Sequence, residues 1–145
     1  MKAAVLDEYD KQGRDLTVVE VPMPEMKADE VLVRVHTAGV NPLDNMIIRG
    51  EVKLIVPYTM PLIMGNEFCG TIEKMGEEAH GFSVGDRVYG RLPLNHIGAF
   101  AEYVAVSRCA PRKVSPLLAT HKWIWELPSA ISRLVPEKKT LNGYE

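Results

Sequence analysis

Val31, Val33 and Val35 alternate with Leu32, Arg34 and His36, giving this segment one apolar and one mixed face. A helix would scatter these side chains around its circumference, whereas an extended chain lines them up with period two, so the segment predicts a half-buried strand. The same rhythm recurs in short pieces. Residues 2–6 and 16–21 read as opening strands joined through the turn at 11–15, and Pro22 and Pro24 keep the next connection extended. Residues 68–74 resume as a strand closed by Gly76, and 87–92 and 99–106 follow, with turns at Gly81, Gly85 and Gly98. So many short strands with glycine punctuation predict a mainly β domain, a partly open barrel. Its expected core is Val5, Val31, Val33, Val35, Phe68, Ile72, Val88, Phe100 and Val104.

Helix has little room in this pattern. Asn41-Pro42 interrupts the strands, residues 43–49 predict a short helical turn ending at Gly50, and 56–61 reads as an irregular loop. The composition shifts near Cys109, after which Pro111, Pro116, Pro128 and Pro136 divide the chain into short pieces. Residues 121–125 predict a strand and 129–135 a second short helix capped by Ser129. The expected division is a domain over 1–110 and an atypical tail over 111–145.

The chain of 145 residues, 46% hydrophobic and 25% charged, suits one globular domain. A formal charge of −2 with scattered Lys and Arg gives no electrostatic footprint for nucleic acid. No apolar run reaches the ~20 residues that a membrane span needs, and Asp7, Glu8 and Asp10 cut short the apolar start. A cytoplasmic protein is expected. Cys69 and Cys109 then read as free thiols, and His36, His80, His96 and His121 lack the spacing of a zinc site.

The chemistry gathers at Asn41-Pro42-Leu43-Asp44. Proline fixes a turn that presents an amide and a carboxylate at a loop mouth, although Asn-Pro is also a common turn opener. Downstream stand Gly65-Asn66-Glu67-Phe68-Cys69-Gly70, Gly85-Asp86-Arg87-Val88 and Gly98-Ala99-Phe100-Ala101-Glu102-Tyr103. In this order the four segments resemble the GroES-like catalytic domain of the medium-chain dehydrogenase/reductase superfamily, over roughly residues 1–106. Zinc-dependent members carry Cys after the first Gly-Val and His between the later Gly and Glu. Here both places hold asparagine, Asn41 and Asn66, and an amide is a poor zinc ligand. The cysteine-rich structural zinc lobe is absent too, since residues 90–99 contain no cysteine. The resemblance is therefore to the zinc-independent NADPH:quinone oxidoreductase-like branch, with no metal.

That resemblance implies roles. Asn41 and Asp44 would be the catalytic-loop residues, with Asn41 and Pro42 facing the nicotinamide once a cofactor domain is present. Asn41 would bond the substrate oxygen or position the nicotinamide, and Asp44 would orient nearby groups. Asn66 and Glu67 would act as supporting or structural residues, Glu67 as a hydrogen-bond acceptor. Many relatives have tyrosine two places after the aspartate, where this chain has Met46. The Asp86-Arg87 pair reads as a turn into a strand, with Arg87 an ion-pair partner at the surface.

A dinucleotide fold needs a Gly-x-Gly-x-x-Gly turn, and no such spacing occurs in these residues. The leading expectation is a truncated NADPH-dependent quinone or enone reductase, inactive alone and binding no cofactor by itself, whose tail resembles a sequence from another reading frame or an unrelated ending. A non-enzymatic binding or dimerisation module is the alternative, and a zinc alcohol dehydrogenase the weakest. Trp123, Ile124, Trp125, Leu127 and Ile131 are expected to cover the domain's bare side, either by folding back or, preferably, through pairing into a homo-oligomer.

Overall fold

Residues 1–12, 16–107 and 111–113 are described by a computed structural model. Strands β1 (Lys2–Leu6), β2 (Thr17–Glu20) and β3 (Glu30–Gly39) are followed by helix α1 (Pro42–Ile48). Then come β4 (Leu62–Ile63), β5 (Glu67–Met75), β6 (Arg87–Arg91), β7 (Tyr103–Ser107) and β8 (Pro111–Lys113). They form two antiparallel sheets, a small one in the order β2-β1-β4 and a large one in the order β7-β3-β5-β6-β8. No closed barrel forms among the described residues, so the architecture is mainly β and open.

Strand alternation decides which face is buried. Along β5, Phe68, Gly70 and Ile72 turn inward, whereas Glu67 is exposed and Cys69 and Thr71 are only partly covered. Val33 pairs with Val104 on one side and Ile72 on the other, so the apolar faces of β7, β3 and β5 are continuous. All nine residues expected in the core are buried. Each such side chain contributes about 1.5–3 kcal/mol when fully removed from water.

The structure departs from the sequence reading at the strand ends. The segment expected as one strand over 99–106 enters the large sheet only at Tyr103. Before that, Ala4 N–H donates to Phe100 O at 2.7 Å, Phe100 N–H donates to Met64 O at 2.7 Å, and Ala101 bridges Ala3. This stretch therefore hands the chain from the small sheet to the large one. β4 and β8 were not expected at all. α1 begins one residue earlier than the predicted helical turn and is the only helix among the described residues. The predicted strand at 121–125, the helix at 129–135 and the tail aromatics lie outside the described residues. Among those residues, no helix is long and apolar enough to cross a membrane.

One irregularity shapes the outer face. The β3–β5 register shifts between Val35 and Thr37, which places the extra residue His36 in a bulge. Val35 remains in the core, while His36 Nε2 lies 2.9 Å from the Thr71 hydroxyl on the outer face.

Candidate functional site

Asn41 ends the extended run after β3 and caps α1. Its Oδ1 accepts from Leu43 N–H at 3.0 Å, and its own N–H donates to Asp44 Oδ2 at 2.8 Å. Pro42 occupies the first turn, where its missing N–H leaves no intrahelical bond unmade. The local sequence thus forms a capping box, which satisfies orphan N–H groups at the helix start. Among the described residues Asn41 Nδ2 makes no hydrogen bond, so this donor remains available beside exposed Pro42.

Asp44 was expected at the loop mouth, but it is only 1% exposed. Capping holds one oxygen inward, and Oδ1 is buried without a hydrogen-bond partner. Burial pushes its pKa above the ordinary carboxylate value, the Asn41 N–H opposes that shift and the charge of Glu67 adds to it. Glu67 is close because it pairs with Gly39, two residues before Asn41. A Cβ at Gly39 would lie 3.0 Å from Glu67 Oε2, a tight contact that the flexible end of the Glu67 side chain could relieve by a small shift. The structure therefore brings Asn41, Asp44 and Glu67 together.

Asn66 follows a different course. Gly65, at φ +97, turns the chain where any Cβ would collide with Phe100, and Asn66 is then fully buried. Its Nδ2 donates to Leu92 O, and its Oδ1 accepts from Arg91 Nε at 2.7 Å. Both ends of the amide serve β6, not the mouth. Zinc does not fit these residues, because one asparagine caps a helix and the other is bonded at both ends. Among the described residues, no group of three or more His, Cys, Asp or Glu is placed to hold a metal.

Two residues near the site escaped the sequence reading. Arg91 fixes Asn66, and only the period-two pattern Arg87, Tyr89, Arg91 hinted at its face. Tyr58, in the segment read as irregular loop, donates its hydroxyl to Leu94 O at 2.6 Å. Burial raises its pKa, followed by the influence of Tyr9 and then of Asp44, so a protonated phenol stands within electrostatic reach of Asp44. Asp86 belongs to a turn, as expected. It accepts from Ser83 N–H at 2.8 Å and pairs with Lys113 at 2.7 Å, and the Lys113 bond lowers its pKa.

The fold has relatives among known proteins. Residues 27–115 match the alcohol dehydrogenase GroES-like domain. The chain belongs to that family. Within the medium-chain dehydrogenase/reductase superfamily it falls in the quinone oxidoreductase-like branch. A mitochondrial NAD(P)H oxidoreductase of Dictyostelium discoideum is 28% identical over 97% of this chain and 43% of its own. A chloroplastic quinone-oxidoreductase homolog of Spinacia oleracea is 35% identical over 59% of this chain and 26% of its own. The solved quinone oxidoreductase of Coxiella burnetii superposes with a TM-score of 0.70 at 27% identity, covering 80% of this chain and 37% of that one. The chain spans less than half the length of these relatives.

Proposed function

We propose that this GroES-like domain is the substrate-facing part of a zinc-independent NADPH:quinone or enone reductase. The observation that carries this reading is the contrast at the two positions where zinc-dependent members bind metal. Asn66 is closed off by Leu92 and Arg91, while Asn41 keeps a free amide donor at the mouth. When bound, NADPH supplies the hydride, and the protein's part is orientation and electrostatics. Asn41 Nδ2 would hold a substrate carbonyl oxygen and stabilise the charge that develops there. Pro42 would face the nicotinamide, and Asp44 would keep the loop in place through the Asn41 N–H. The phosphate-binding turn is not among these residues, so the cofactor site is completed by a dinucleotide domain, and the 145 residues alone are expected to turn over no quinone.

The test is turnover of NADPH with small quinones and enones, by the chain alone and by the chain joined to a cofactor domain. Activity should appear only in the joined protein and should not need zinc. Asn41→Asp keeps the capping oxygen and removes the amide donor, so kcat/KM should fall about a hundredfold with the helix intact. An unchanged rate in that variant, or a requirement for zinc, would overturn the proposal.

A further inference from the structure

The outer face of the large sheet carries a cleft of about 530 Å³. Register builds it. Thr37 pairs with Cys69, Cys69 with Tyr89 and Tyr89 with Arg112, so one row crosses β3, β5, β6 and β8. The next row on the same face pairs Gly39 with Glu67 and Glu67 with Arg91. Arg91 and Arg112 are thus diagonal neighbours, with backbones about 7–8 Å apart, close enough for both side chains to reach one ligand. Arg91 is further fixed through its Nε–H to Asn66, which leaves its terminal nitrogens unbonded among the described residues.

Three more features describe an occupant. Tyr89, 46% exposed, offers a ring face between Cys69 and Arg112. Two guanidiniums against the single Glu67 carboxylate leave one net positive charge, which matches a monoanion better than a dianion. Burial pushes the Cys69 thiol up to about 11, so no thiolate competes there at neutral pH.

We infer that this cleft binds a free aromatic carboxylate, with the anion on Arg91 and Arg112 and the ring against Tyr89. A guanidinium takes a carboxylate through two parallel bonds, which selects a planar anion over a single charge of any shape. The cleft adjoins the proposed reductase mouth through Gly39 and Glu67, but its binding contacts do not involve Asn41, Pro42 or Asp44, so benzoate binding is read independently of turnover.

The test is a 1H–15N NMR titration of the 145-residue chain at pH 7 with benzoate, phenyl phosphate and benzyl alcohol. Benzoate should produce saturable shifts centred on Thr37, Cys69, Tyr89 and Arg112. Benzyl alcohol, and benzoate with Arg112→Gln, should each bind about tenfold more weakly. Tyr89→Ala, also on the exposed face, gives an independent loss of ring binding. Absence of saturable shifts, shifts centred elsewhere, tighter binding of phenyl phosphate than benzoate, or an Arg112→Gln protein that binds as wild type would each overturn the inference.

Discussion

Asn41 and Asn66 stand where zinc-dependent relatives place a cysteine and a histidine, yet their surroundings oppose each other. At the start of α1, Asn41 is partly buried, and its side chain is engaged on the oxygen only. At the start of β5, Asn66 is fully buried and engaged at both ends by the β6 segment. A side-chain amide can both donate and accept, so the same residue type serves as a loop-mouth donor in one place and a sheet rivet in the other. The first arrangement leaves chemistry available, and the second removes it.

The largest expected effect comes from breaking the rivet. Asn66→Ala would strand the Leu92 carbonyl, release the Arg91 Nε–H and leave a void where the buried amide sat. A loss of about 2–3 kcal/mol is expected by urea denaturation. At the mouth, Asn41→Ala removes only the cap acceptor and should cost about 1 kcal/mol. Equal losses at the two positions would erase the distinction between them.

Part of this contrast was visible in the sequence. Asn-Pro followed by Asp44 and Gly50 predicted a short helical element, and the absence of thiolate or imidazole at both asparagines argued against zinc. Alternation in β3 located the core, because a period of two carries its own face assignment. The burial of Asn66 was not legible, since it depends on a β5–β6 pairing between distant residues and on a turn at Gly65 against Phe100. β4 and β8 have 2 and 3 residues, too few to display a period. Nor did anything local announce the bulge at His36, which sets Thr37 on the outer face.

The pH dependence sharpens the mouth's side of the comparison. Burial is the main cause of the raised Asp44 pKa, so the folded protein holds that proton more tightly than the unfolded chain. The stability linked to it is complete below the unfolded value of about 3.8 and is lost as pH rises through the higher folded value. Asp44→Asn has no such proton. The stability of wild type relative to this variant should therefore increase as pH falls from 7 toward 4, measured by denaturation at several pH values. A flat difference would mean that solvent reaches the carboxylate.

The smallest effect tests the link between the two segments. Glu67 follows Asn66 in β5, yet its charge acts on Asp44 in α1, where it adds to the rise produced by burial. Glu67 itself is exposed, so water screens much of this repulsion. Glu67→Gln should lower the pKa of Asp44 and raise stability at pH 7 by a few tenths of a kcal/mol. In the Asn66→Ala background, the displacement of β5 should diminish that gain. NMR titration of the Asp44 carboxyl in both backgrounds separates the cases: the same downward shift in each would mean that Glu67 is positioned by its pairing with Gly39 alone, and that the mouth is independent of the rivet beside it.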